Sequence, residues 1–285
     1  MKLTKDKKIL IVGLGLIGGS YAKALTKKGY YVSAVTRSES TVRYALEHGI
    51  IAAGTTQIDP ALIGEADIVV LALYPKLLIP WLEQNQQHFK PGAILTDVTG
   101  VKCCLVYDLQ NMLRRDVEFI GAHPMAGREV YGIENSDEAI FRNANYIVTP
   151  TDKNSEEAIA LCEQLGWELG FARVSRLSPQ KHDDMIGFLS QLTHCIAVAL
   201  MNCNDTPGME AYTGDSFRDL TRIARINDLM WSELFMCNRE RLLLHMDAFI
   251  ESFAALREML DSCDVEGIRE AMRKSTARRG LFNKK

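Results

Sequence analysis

The sequence predicts an α/β protein: an N-terminal Rossmann-type, doubly wound parallel sheet followed by an all-helical domain. Three observations carry this. Up to about residue 175, short β-rich runs alternate with amphipathic stretches of helical length, the pattern of consecutive βαβ units. The first run leads directly into Gly13-Leu14-Gly15-Leu16-Ile17-Gly18. Beyond Ser178-Pro179 only helical patterns remain. A chain of 285 residues accommodates two domains, placed at 1–175 for the α/β part and 176–285 for the helical part.

Taken in order, strands are expected at Lys8–Val12, Tyr31–Thr36, Asp67–Leu73, Ala93–Asp97, Val117–Gly121 and Tyr146–Thr149, each a short run rich in β-branched or apolar residues. Helices are expected at Ser20–Lys28, Thr41–His48, Lys76–Phe89, Leu105–Arg114 and Ser155–Leu165. Ser178 is a good N-cap and Pro179 a good first helical residue. From there an apolar helix should run to about Asn202, where "DTPG" (Asp205–Gly208) breaks it. Helical patterns then continue to near Lys274, and the basic tail "RKSTARRGLFNKK" reads as a frayed, solvated end.

Composition narrows the function classes. Hydrophobic content of 47% and charged content of 24% suit a soluble globular protein, and a net charge of −3 points away from nucleic-acid and membrane partners. The basic start MKLTKDKK precedes an apolar run broken by glycines, which is neither a signal peptide nor a membrane span. Seven cysteines, an odd number without Cys-x-x-Cys spacing, read as reduced thiols of a cytoplasmic protein; no metal site is expected.

The Gly-x-Gly-x-x-Gly motif has a specific physical logic: one glycine for the tight turn, one for close approach of a pyrophosphate, one for helix–strand packing. Gly13, Gly15, Leu16, Ile17 and Gly18 are therefore the candidate cofactor-binding residues. An acid about 20 positions on would hold the ribose of NAD. Here the end of the second strand reads Thr36-Arg37-Ser38, without that acid, while Glu39 is assigned to the next helix. This favours NADP over NAD, although Arg37 also fits an ordinary surface charge.

Gly121-Ala122-His123-Pro124-Met125-Ala126-Gly127-Arg128-Glu129 follows the strand at Val117. Loops at the carboxyl ends of strands line the ligand crevice of such a sheet. His123 there is either a structural strand-end histidine or a base held out beside the nicotinamide. The residues by themselves leave both open.

Several motifs together resemble the prephenate/arogenate dehydrogenase family of tyrosine biosynthesis: "GLGLIGGS" at 13–20, "TDVTGVK" at 96–102, "HPMAG" at 123–127, "SPQKHD" at 178–183 and "FRDLTRIA" at 217–224 with Met230-Trp231. The resemblance implies a Rossmann domain plus a helical dimerisation domain, and NAD(P)-dependent oxidative decarboxylation of prephenate or arogenate. It makes His123 the catalytic histidine, His194 a substrate-contacting residue and Arg222 the carboxylate clamp. Arg218, one turn earlier, and Thr99 are grouped with the substrate-binding residues. Many members carry Gly-Ser where this chain has Thr99-Gly100, and that serine orients the histidine; either Thr99 takes its place or the contact is lost. "RINDLMW" replaces a commoner Ser-Asp-Pro pattern, so the helix there is expected to run on unbroken. Arg128, where the family often has Thr or Ser, lies near the substrate mouth or faces solvent.

Two alternatives remain at this point. One is a β-hydroxyacid dehydrogenase or imine reductase of the same architecture, which would not explain His123, His194 and Arg222 together. The other is a non-catalytic dinucleotide sensor, which has no need of a base and a clamp. The run "MIGFLSQLTHCIAVALM" is apolar on most faces and demands burial, so a homodimer through the helical domain is expected, with the active site between the domains.

Overall fold

The computed structural model describes residues 2–128 and 130–282; Glu129, the last residue of the histidine-proline motif, lies outside them. Within Met1–Arg239 the eight strands form one sheet in the order β3-β2-β1-β4-β5-β6-β7-β8. They are β1 Lys8–Val12, β2 Tyr31–Val35, β3 Ala53–Thr55, β4 Ile68–Leu71, β5 Ile94–Asp97, β6 Glu118–Met125, β7 Asn145–Thr149 and β8 Arg173–Arg176. Pairing is parallel from β3 to β6, antiparallel between β6 and β7, and parallel again between β7 and β8. The central strands β1 and β4 read "KILIV" and "IVVL" because both of their faces are covered. Two strands were not expected. β3 is the small-residue triplet Ala53-Gly54-Thr55, and β8 is the polar "RVSR" at the sheet edge; neither carries an apolar run, and only pairing with a neighbour makes each a strand.

The connecting helices are α1 Leu16–Lys27, α2 Glu39–Glu47, α3 Pro60–Gly64, α4 Pro75–Asn85, α5 Val106–Met112 and α6 Glu156–Leu169. They bury two apolar clusters. One packs α1 and α6 residues such as Tyr21, Leu25, Leu161 and Leu165 on one side. The other packs α4 and α5 residues Leu78, Leu82 and Leu109 on the other. Local chemistry sets the ends: Ser155 Oγ caps α6 by accepting from the Ala158 amide, and Gly170 ends it at φ +90°.

After Ser178, whose Oγ accepts from the Lys181 amide, α7 Pro179–Ile186 passes through a π-helical segment, Gly187–Leu192, into α8 Thr193–Asn202. By length and hydropathy this helix could cross a membrane. It nevertheless carries buried His182, Asp183 and Gln191 in hydrogen bonds to other elements, which a lipid-facing helix does not. Gly208 (φ +81°) turns the chain as expected. α9 Asp215–Thr221 then leads into a 3₁₀ turn, Arg222–Ala224.

Here the expectation of an unbroken helix is corrected. Arg225 leaves helical geometry at ψ 89°, and Asn227 starts a new helix, α10 Asp228–Cys237, by accepting from the Met230 amide at 3.0 Å. Asparagine supplies the stop and restart for which proline would otherwise serve. Glu240–Lys285 forms the second compact unit, built from α11 Arg239–Asp261 and α12 Val265–Gly280. α12 corrects the frayed tail: the helix runs past Lys274 to Gly280, with Arg278 and Arg279 in its last turn, where cations complement the helix dipole. α11 exposes Leu243, Leu244, Phe249, Ile250, Phe253 and Leu260.

Candidate active site

The glycine turn sits between β1 and β4, where the strand order reverses, the ligand crevice of an open α/β sheet. Its three glycines do different work. Gly13 adopts φ +94°, and a Cβ there would lie 2.4 Å from the Ala72 carbonyl oxygen. A Cβ at Gly18 would lie 1.9 Å from the Gly13 oxygen, so α1 and β1 pack only through hydrogen atoms. Gly15 has nothing within 4 Å of where its Cβ would be; that side is open. The first turn of α1, Leu16-Ile17-Gly18, has neither a side-chain cap nor an acidic residue. Its orphan amides and the helix dipole suit a pyrophosphate. At the end of β2, Thr36 is half-buried with its amide on the Thr55 carbonyl, Arg37 is exposed, and Ser38 caps α2 by accepting from the Thr41 amide. Glu39 opens α2, as expected.

β6 is longer than its apolar run predicts, and His123 is corrected from the end of the strand to a place inside it. The parallel ladder with β5 stops at Ile120. Beyond it, Gly121–Met125 pair antiparallel with β7, His123 opposite Ile147. On the β5 side the ladder is replaced by side chains. Asp97 accepts from the Ala122 amide at 3.0 Å and from the Thr99 amide at 3.0 Å. Lys102, wholly buried, uses all three of its donors: 2.6 Å to Asp97, 2.6 Å to the Ala122 carbonyl and 3.2 Å to Thr99 Oγ1. A buried ammonium survives only with such complete pairing.

His123 is half-buried, and its Nδ1 lies 2.9 Å from His182 Nε2. His182 Nδ1 lies 2.7 Å from Asp183 Oδ1, and that carboxylate also accepts from the Lys102 and Cys103 amides at 2.9 and 2.8 Å. Desolvation, then the neighbouring His182 and the Lys102 charge, hold the His123 pKa well below the usual histidine value. Burial likewise lowers His182, against the pull of Asp183. Burial alone would raise Asp183; its hydrogen bonds to His182 and to Cys103 outweigh that and keep it low. Both imidazoles are therefore neutral and the carboxylate ionised near pH 7.

Thr99 does not orient His123. Its buried hydroxyl packs between the Asp97 carboxylate and the Val101 carbonyl, so its contacts belong to the Lys102 cluster and not to His123. The residue beside the ring is Gly100: a Cβ there would lie 3.7 Å from His123 Nε2 and 3.7 Å from Leu234. Leu234 is on α10, one turn from Trp231, which stacks on His194 at 3.7 Å between ring centroids. His194 in turn donates from Nδ1 to the Ser190 carbonyl at 2.8 Å. Gln191 donates to the Leu234 carbonyl at 2.9 Å, and Asn238 links Gln191 to the Asp183 carbonyl. α10 thus carries one contact to the His123 corner and one to His194.

Arg222 is exposed on the 3₁₀ turn that packs against α8. Arg218 is exposed and held locally, 2.7 Å from Asp215 and 3.1 Å from the Thr213 carbonyl. Arg128 faces solvent, 3.3 Å from Asp137. The structure therefore brings His123, Gly100 and α10 together, ties His194 to the same helix, and places both arginines on the neighbouring exposed segment. Sequence reasoning missed Asp97, Lys102, His182 and Asp183 as parts of the site. All four lie in motifs it quoted, "TDVTGVK" and "SPQKHD", but nothing in one dimension pairs position 102 with 183 or 123 with 182.

Comparison with known proteins agrees with this fold. The family model described as the nucleotide-binding domain of prephenate dehydrogenase matches residues 21–175, and that for its dimerization domain matches residues 178–274. A prephenate dehydrogenase of Lactococcus lactis is 34% identical over 253 residues, 85% of this chain and 68% of the relative. Among solved structures, A. aeolicus prephenate dehydrogenase in complex with hydroxyphenyl propionate and NAD+ superposes with a TM-score of 0.89 at 30% identity, covering 99% of this chain and 100% of that one. Synechocystis arogenate dehydrogenase gives a TM-score of 0.84 at 27% identity, covering 97% and 100%. With a glycine turn at the point where the strand order reverses and family models spanning both parts of the sequence, the chain belongs to the prephenate dehydrogenase family.

Proposed function

We propose that this protein catalyses the oxidative decarboxylation of prephenate to 4-hydroxyphenylpyruvate, with Gly13, Gly15, Leu16, Ile17 and Gly18 holding a nicotinamide dinucleotide. The observation that carries the assignment is the neutral His123 at the carboxyl edge of the sheet, its Nε2 facing the gap left by Gly100. The bound nicotinamide supplies the hydride acceptor. As hydride leaves C4, His123 Nε2 accepts the C4 hydroxyl proton. Loss of the C1 carboxylate as carbon dioxide leaves its electron pair in the ring, which becomes aromatic. The resulting phenolate oxygen takes the proton back from His123. The protein contributes a positioned base and a fixed substrate pose.

Arg222 binds a substrate carboxylate, for which a guanidinium is well shaped, and His194, braced on Trp231, contacts the rest of the side chain. Arg218 serves this site at most through the segment it stabilises. Thr36 and Arg37 favour NADP: the β2 end offers a cation and no acid to repel a 2′-phosphate. Residues 1–175 and 176–285 are the two functional domains. The apolar face of α11 and the match to a dimerization domain support a homodimer, and seven free thiols fit the cytoplasm. The decisive assay follows absorbance of the reduced nicotinamide with prephenate and with arogenate, each with NAD and NADP. Turnover of neither substrate rejects the proposal. An Arg37→Ala enzyme with an unchanged NADP/NAD ratio of kcat/KM rejects the role of Arg37, and sedimentation as a monomer at micromolar concentration rejects the dimer.

A further inference from the structure

We propose that His182 and Asp183 are positioning residues that fix the tautomer of His123, so that its Nε2 is the unprotonated nitrogen offered to the substrate hydroxyl. This rests on the reading of His123 as proton acceptor and explains how the ring is prepared for that role.

Asp183, His182 and His123 form a chain of donors and acceptors. Asp183 is buried, and its two oxygens accept from the Lys102 and Cys103 amides, which leaves an ionised carboxylate able only to accept. His182 Nδ1, 2.7 Å from Asp183 Oδ1, must therefore carry a hydrogen. A neutral imidazole has one N–H, so His182 Nε2 is an acceptor. His123 Nδ1, 2.9 Å away, must then be the donor. Its single hydrogen is used there, and the lone pair is left on Nε2, the atom beside Gly100. The dyad is itself immobile. The Asp183 main chain is held by Asn238, which Gln191 holds in turn, and Asp183 bridges α7 to the loop after β5.

The logic also has a polarity. If His182 were protonated, both of its nitrogens would donate, His123 Nδ1 would become the acceptor, and the hydrogen would move to Nε2, where it blocks the reaction. Burial and the Lys102 charge oppose that protonation, while Asp183 and Asp97 favour it, and the first pair prevails. Gly100, the residue beside the ring, has no side chain to hold the histidine, so the task falls to the His182 side.

The test is nitrogen-15 NMR of the histidine-labelled full-length protein at pH 7.5, with His123 assigned by its loss in His123→Asn. The expected wild-type spectrum has His123 protonated at Nδ1 and bare at Nε2. Asp183→Ala removes the acceptor that fixes His182, so the chain can run in either direction; part of the His123 population should then carry its hydrogen on Nε2, and kcat should fall several-fold or more with cofactor KM unchanged. His182→Gln keeps an acceptor for His123 and should recover kcat to within about 10-fold of wild type. A wild-type ring bare at Nδ1 overturns the inference, and so does a folded Asp183→Ala protein with unchanged tautomer and kcat. If Asp183→Ala does not fold, the wild-type spectrum decides alone. Failure of the parent reading looks different: His123→Asn would keep near-normal kcat whatever the tautomer.

Discussion

The corner around His123 and the segment around Arg222 hold their charges in opposite ways. In the corner, Asp97, Lys102, His182 and Asp183 are buried, and each is tied to a distant part of the sequence: Asp97 and Lys102 to Ala122, His182 to His123, and Asp183 to the Lys102 and Cys103 amides. In the segment Gly214–Ala224 the side chains are mostly exposed, and Arg218 is paired with residues three and five positions away. The first region is held by contacts within the protein itself. The second is a short helix and a 3₁₀ turn whose arginines stay close to water. The contrast separates chemistry from binding: a base needs a fixed orientation and pKa, whereas a carboxylate clamp needs chiefly charge and reach.

The strongest way to break the comparison is to remove the base. His123→Asn keeps size and polarity but cannot take the proton; kcat should fall about 10²–10⁴-fold with KM little changed. Near-normal kcat in a folded, cofactor-binding variant would return His123 to a structural role. Next is Lys102→Met, which strands the Asp97 carboxylate in a buried site. Breaking such a pair costs about 3–5 kcal/mol, read as a lower midpoint in denaturant unfolding; a loss under about 1 kcal/mol would mean that water replaces the ammonium.

The two arginines sharpen the other half. Arg222→Ala should raise substrate KM about 10–100-fold, the worth of a charged hydrogen bond, with a smaller change in kcat. Arg218→Ala removes only an exposed local pair and should change KM less than about 5-fold; equal effects would show that both bind substrate.

The pH dependence follows from the lowered His123 pKa. The base must be unprotonated, so kcat/KM should hold through neutrality and fall on an acid limb below about 6.5, the unperturbed histidine value. The stability sign agrees: in the window between the unfolded value and the lower folded value, the unfolded chain binds protons that the folded protein does not, so stability is present above about 6.5 and is lost as pH falls. An acid limb above that value would contradict the assignment. The smallest effect is expected at Gly100→Ser. Its Cβ would meet His123 Nε2 at an ordinary 3.7 Å, and the backbone there is not left-handed, so stability should change by no more than about 0.5 kcal/mol.

Much of this was legible in the chain. The parallel strands are apolar runs because both sheet faces are covered, and Ser178-Pro179 announces its helix through capping chemistry that acts within three residues. The three glycine roles were readable because the turn is local. β3 and β8 were not, since "AGT" and "RVSR" become strands only through a partner. The stop at Arg225–Asn227 was missed because an asparagine cap is a weaker signal than proline. The extension of β6 through His123 depends on β7, more than 20 residues away.

By itself the sequence determined the order of most elements, the glycine turn at the head of α1 and the histidine-proline motif that follows the apolar run of β6. These rest on forces between residues a few positions apart: capping, backbone sterics and the periodicity of apolar side chains. Only the tertiary structure decided that His123 leans on His182, that Asp183 reaches back 80 residues to the loop after β5, and that Thr99 serves Lys102 instead of the imidazole. Buried polar groups must be paired, but the chain does not say with whom. That choice is made when packing excludes water and leaves each donor only the acceptors the fold has brought within reach.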